Sequence, residues 1–77
     1  MIKNLVTYVV KQLVEQKESV DVTTEELEHR IKVRVAVASD DLKRVIGREG
    51  RVVRAIQALV GSLVADRAVD VVVDAAQ

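Results

Sequence analysis

The feature that most constrains this chain is that its apolar spacing switches between a helical and an extended period, and back, within only 77 residues. Ile2, Leu5, Val6, Val9 and Leu13 recur every three or four positions, so residues 2–16 are expected to form an amphipathic helix with Tyr8 at the edge of its stripe. From Ser19 the period falls to two. Val20 and Val22 alternate with Asp21 and Thr23, which predicts a short or irregular edge strand that enters a turn somewhere in the polar stretch Glu25-Glu26-Leu27-Glu28, its far end not fixed by the pattern. Ile31, Val33, Val35 and Val37 then alternate with Lys32, Arg34, Ala36 and Ala38, the clearest strand pattern in the chain.

After that strand, Ser39-Asp40-Asp41 reads as a capping cluster with carboxylates where a helix dipole favours them, followed by a short helix through Ile46 that Gly47 stops. A further helix is expected from about Gly50, because Val52, Val53, Ile56, Leu59, Val60, Leu63 and Val64 keep helical spacing. Val69, Val71 and Val73, alternating with Asp70, Val72 and Asp74, predict a last strand. The order is α-β-β-α-α-β. A helical crossover between two strands implies that they run parallel, while the first two strands can pair antiparallel through their turn. The predicted class is therefore α+β: one domain over residues 1–77, with a three-stranded mixed sheet and three helices on one face.

About half the residues are apolar, but almost all are Val, Leu, Ile and Ala, with a single aromatic side chain and no proline. A chain of this length buries only about 60–65% of its unfolded surface, so its core is thin and self-association would help it. The absence of cysteine excludes a disulfide framework and a thiolate metal site. Thr7, Lys11 and Gln12 interrupt the apolar N-terminal segment, no small-residue cleavage site follows it, and no run reaches the ~20 apolar residues that span a bilayer. A complete cytoplasmic protein is expected, without a membrane partner.

Twelve basic and twelve acidic residues balance, which argues against a protein that coats nucleic acid indiscriminately. Their distribution is uneven. Between residues 42 and 54 stand Lys43, Arg44, Arg48, Arg51 and Arg54 against Glu49 alone, whereas between 15 and 28 six carboxylates face only Lys17. The chain has one positive pole.

That pole contains Gly47-Arg48-Glu49-Gly50. With glycine at about 7% of residues, a Gly-x-x-Gly tetrapeptide arises by accident in roughly one chain of this length in three, so its surroundings must carry the argument. Here it joins two predicted helices, Ile46 precedes it, Val53 and Ile56 follow at helical spacing, and basic residues flank it on both sides. Two glycines let a backbone approach a sugar-phosphate chain closely, and a following helix offers its unpaired N–H groups. Arg48 projects from the loop as a phosphate ligand. Arg51 and Arg54 are expected on the solvent face of the second helix, opposite a Val52, Ile56, Leu63 stripe, with Lys43 and Arg44 extending the basic track. Ile46 and Val53 would floor an apolar groove for bases, or else join the core.

The run Val45-Ile46-Gly47-Arg48-Glu49-Gly50-Arg51-Val52-Val53-Arg54-Ala55-Ile56 resembles the signature of the KH domain, and the element order matches its type II arrangement. Across essentially the whole chain, including Leu5 to Val14, the sequence is similar to the KhpA family of small bacterial stand-alone KH proteins. The resemblance implies a protein that holds about four unpaired nucleotides of RNA across its loop. It implies an RNA chaperone or post-transcriptional regulator affecting cell size and envelope growth. It also implies partners: a second copy, a larger KhpB (EloR or Jag)-like KH protein, or both. Glu49 departs from a purely basic loop and should lower affinity, while Arg48 keeps the loop functional.

Other readings compete with these. An ordinary helix-to-helix turn would also use Gly47 and Gly50, and a solvated face would also carry the basic residues. His29 has no second histidine or cysteine to share a metal with, and Tyr8 alone is no stacking platform. Nothing resembles a catalytic constellation, so no enzyme activity, cofactor or small-molecule substrate is expected. Ala58, Gly61 and Ala65 form a small-residue line on the side of the second helix away from the core stripe, which reads either as a dimer contact or as an exposed helix face that tolerates small residues. The alternative function is a protein-interaction or dimerisation module with weak or no RNA binding.

Overall fold

The alternation of Ile31, Val33, Val35 and Val37 with Arg30, Lys32 and Arg34 makes one strand, β2 (Arg30–Val37), with one face wholly buried and the other largely charged and exposed. In the computed structural model, which describes residues 1–64 and 66–76, β2 is the middle strand of three. β1 (Asp21–Glu26) pairs with it antiparallel, Val22 opposite Val35, and β3 (Ala68–Ala75) pairs with it parallel, Val71 opposite Val33. The parallel pair follows from the helical crossover between β2 and β3. With α1 (Ile2–Leu13), α2 (Leu42–Ile46) and α3 (Arg51–Leu63), the order is α-β-β-α-α-β, the type II KH fold.

Val6 and Val10 of α1, Val45 of α2, and Ile56 and Val60 of α3 meet the buried face of the sheet in one core that is almost entirely valine. β-branched side chains suit this pleated surface and lose little rotamer freedom there.

Several expectations are corrected or made definite. The first helix stops at Leu13 instead of continuing to residue 16, because Val14 turns extended (φ −103°, ψ 157°) and drops into the core. β1 takes in Glu25 and Glu26, which pair with Lys32 and Ile31, so the turn is confined to 27–29 and closed by the Leu27 N–H donating to the Arg30 carbonyl at 2.7 Å. Ser39–Asp41 forms a 3₁₀ turn whose side chains cap neither it nor α2. The apolar stripe of α3 is only partly used: Ile56 and Val60 are buried, but Leu59 and Leu63 are 38% and 46% exposed. Tyr8 is 66% exposed, so it contributes little edge packing.

Candidate nucleic-acid interface

Gly47 terminates α2 with φ 78° and ψ 169°, and Gly50 precedes α3 with φ 75° and ψ 18°. Both lie in left-handed backbone regions that a Cβ penalises. Between them Glu49, at φ 57°, is the only non-glycine residue with positive φ among those described. The two glycines do different work. A Cβ on Gly47 would stand 2.6 Å from Cγ2 of Val52 and 2.8 Å from its main-chain nitrogen, so this glycine is needed to let α3 begin against α2. A Cβ on Gly50 would meet only Nη1 of Arg54, at 3.7 Å. The outer approach to the loop is therefore over Gly50, and Arg54 leans across it.

Lys43, Arg48, Arg51 and Arg54 are exposed around this loop, as is Glu49, and among the described residues none of them has an ionic partner within 4.0 Å. Arg44 differs. Its guanidinium donates through Nη1 to Asp41 at 2.7 Å and through Nη2 to Glu15 at 2.8 Å. Of the five cations read from the sequence, four are free to meet an anion and one is engaged within the protein. Arg51 does not lie opposite the apolar stripe, since it borders an apolar groove formed by Val9 and Leu13 of α1 with Val52, Ala55, Ile56 and Leu59 of α3. Ile46 and Val53 are half-buried and belong neither to the core nor to the partly buried side chains packed on it, so both keep apolar surface beside the loop.

Two features escaped sequence reading. The first is the outer edge of β3: Ala68 and Ala76 donate inward to the carbonyls of His29 and Val37, so even-numbered residues between them face β2 and odd-numbered ones face outward. Gln57 of α3 donates through Nε2 to the outward carbonyl of Val69 at 2.9 Å, and the main-chain groups of Val71 and Val73 face the same outward side. No sequence signal marks which main-chain groups an edge leaves open. The second is Asp41, 1% exposed, whose carboxylate accepts the N–H groups of Gln16 and Glu15 at 3.0 and 3.1 Å. Those two bonds, with Arg44 helping, hold its carboxyl below the ordinary range against the opposing effect of burial.

On the small-residue line, Ala58 is exposed, Gly61 is half-buried with nothing within 4 Å of where its Cβ would stand, and Ala65 lies outside the described residues. Among the described residues no group of three or more His, Cys, Asp or Glu is placed to hold a metal ion, and no helix is long and apolar enough to cross a membrane.

A family model described as KhpA/KhpB, KH domain, matches residues 3–75. The RNA-binding protein KhpA of Listeria monocytogenes is 38% identical over 58 residues, covering 75% of this chain and 76% of that protein. RNA-binding proteins KhpA of Chlamydia caviae and Streptomyces coelicolor are 34% and 35% identical over 61 and 63 residues, covering 79% and 82% of this chain and 78% and 80% of theirs. Among solved structures, Aquifex aeolicus Era bound to GDP and aluminium fluoride superposes with a TM-score of 0.71 at 14% identity. That match covers 96% of this chain and 30% of the Era chain, and it speaks for the fold alone. A match over nearly the whole length, on a type II fold that presents its Gly-x-x-Gly turn between two helices, places this chain in the KhpA/KhpB KH-domain family.

Proposed function

We propose that this chain binds single-stranded RNA through the Gly47-Arg48-Glu49-Gly50 loop, holding about four nucleotides as one KH unit. The observation that carries the reading is the geometry of the loop. Its left-handed backbone is open on the Gly50 side, and Lys43, Arg48, Arg51 and Arg54 stand around it without ionic partners. Phosphates would be met by those cations and by main-chain N–H groups at the start of α3. Bases would lie toward Ile46 and Val53 and the outward main chain of Val71 and Val73, a combination suited to unpaired nucleotides. The names of the relatives agree with RNA as the ligand. In a cell such a protein would act in the cytoplasm as an RNA chaperone or post-transcriptional regulator, by contact and without catalysis.

The test is a filter-binding titration of mixed-sequence single-stranded RNA with wild type and an Arg48→Asp, Glu49→Asp double variant. Both positions are exposed, and aspartate tolerates the positive φ at position 49, so the melting temperature should be unchanged. Affinity should be abolished at physiological salt. Wild-type binding should weaken with salt at a log-log slope of about −0.7 per phosphate contact. Undiminished binding by the double variant would end this mechanism.

A second reading, compatible with the first, is favoured by the α1–α3 groove and the exposed Leu13, Leu59 and Leu63. Apolar side chains left open beside a thin core suit a second copy or a KhpB-like KH partner. Leu59→Glu should then shift sedimentation toward a smaller species while leaving the fold intact, and Gly61→Arg asks the same of the small-residue line on the other side of α3; unchanged sedimentation in either variant would remove the surface it probes from consideration.

A further inference from the structure

Asp41 is the one buried charged side chain among the described residues, and a buried carboxylate is costly unless its oxygens are satisfied. Here they are: Oδ1 accepts the Glu15 N–H at 3.1 Å and Nη1 of Arg44 at 2.7 Å, and Oδ2 accepts the Gln16 N–H at 3.0 Å. Nη2 of Arg44 closes the circuit on the Glu15 carboxylate at 2.8 Å. The two segments joined are the stretch that follows α1, at Glu15 and Gln16, and the 3₁₀ turn that leads into α2. A helix of five residues has no stability of its own, so the orientation of α2 has to be imposed by what holds it. Val45 anchors its inner side in the core, and the Asp41 circuit anchors its first turn. Its other end runs straight into the loop, where the Gly47 N–H bonds the Lys43 carbonyl at 2.8 Å and the Gly50 N–H bonds the Gly47 carbonyl at 3.2 Å.

We propose that Asp41, Arg44 and the Glu15–Gln16 main chain form a clamp that fixes the direction in which α2 presents the Gly47–Gly50 loop, and that Arg44 serves this clamp instead of contacting RNA. The inference rests on the RNA-binding reading of the loop. It makes Asp41 and Arg44 positioning residues and leaves phosphate contact to Lys43, Arg48, Arg51 and Arg54. The physical ground is asymmetric. To reach a phosphate, Arg44 would have to give up charge-assisted bonds to two carboxylates and leave a buried Asp41 without its cation, whereas the other four cations have nothing to give up.

The test compares Arg44→Gln, Arg44→Lys, Asp41→Asn and, as a phosphate-contact control, Arg54→Gln. Single-stranded RNA is titrated over a series of salt concentrations, at a temperature where circular dichroism shows each variant folded. Arg44→Gln should lower affinity several-fold with an unchanged salt slope, and Arg44→Lys should recover part of the loss, since one ammonium can still meet Asp41. Arg54→Gln should flatten the slope by about 0.7. A slope change for Arg44→Gln as large as that for Arg54→Gln would make Arg44 a phosphate ligand and overturn the inference. So would full wild-type affinity in both Arg44→Gln and Asp41→Asn. Amide hydrogen exchange separates failure of the clamp from failure of the RNA reading. In RNA-free Arg44→Gln, exchange at Gly47 and Gly50 should speed up relative to Ile56 and Val60 of α3, and equal protection would overturn the clamp. A wild type that binds no RNA would instead overturn the reading of the loop.

Discussion

Replacing each loop glycine by alanine should separate a glycine required by packing from one required by the ligand. At Gly47, φ 78° and ψ 169° fall in a region essentially reserved for glycine, where another residue costs about 1–3 kcal/mol. The added Cβ would also stand 2.6 Å from Cγ2 and 2.8 Å from the main-chain nitrogen of Val52. The latter is backbone at the start of α3 and cannot rotate away, so relief requires α3 to shift, an overpacking cost of about 1–3 kcal/mol. Together these, less the about 0.4–1 kcal/mol that the lower entropy of the unfolded alanine chain returns, predict a loss of about 3 kcal/mol, a substantial part of the about 4–12 kcal/mol expected for a chain of this length. At Gly50 the strain is that of an ordinary left-handed residue, about 1–2 kcal/mol, and the nearest atom is the flexible end of Arg54 at 3.7 Å. The lower entropy of the unfolded alanine chain returns about 0.4–1 kcal/mol, leaving a net loss of about 1 kcal/mol. Urea unfolding followed by far-ultraviolet circular dichroism reads both, and Gly50→Asn should cost less than Gly50→Ala because asparagine tolerates this conformation. Gly50→Ala should still weaken RNA binding while folded, since its methyl would occupy the outer approach to the loop. Equal destabilisation by Gly47→Ala and Gly50→Ala would refute the assignment of Gly47 to the α2–α3 junction.

Further outcomes follow from the core and the clamp. The folded-state value of the Asp41 carboxyl lies below its ordinary one, so its ionisation adds stability that is present above the ordinary carboxylate range and is lost as pH falls through the folded value. The gap in urea midpoint between wild type and Asp41→Asn should therefore narrow as pH falls from about 5 toward 2; a gap that stays constant would show that the charge of Asp41 contributes nothing. Val35→Ala removes two methyl-sized groups from a fully buried site on the central strand and should cost about 2–3 kcal/mol in the same assay. A loss within about 0.5 kcal/mol, typical of surface positions, would contradict its place in the core.

The chain's own pattern determined whatever depends on neighbours in sequence. Period-two valines made β2 and β3, three- and four-residue spacing made α1 and α3, and glycines at 47 and 50 marked a junction that only left-handed backbone can make. Strand order and direction followed as well, because a helical crossover leaves little choice of hand. What required the tertiary structure was everything set by distance in space. A three-stranded sheet is only about 10–15 Å wide and a helix about 10 Å across, so one face has no room to bury three helices completely. That is why Leu13, Leu59 and Leu63, which read as core by spacing, are left at the surface. Asp41 read as a helix cap, and only the fold brought the main chain of Glu15 and Gln16, some 25 residues away, within reach of its carboxylate. Arg44 was counted among the RNA contacts with its neighbours because charge is legible in a sequence. Whether that charge is already engaged is decided by carboxylates far along the chain, and for Arg44 the structure supplies two of them.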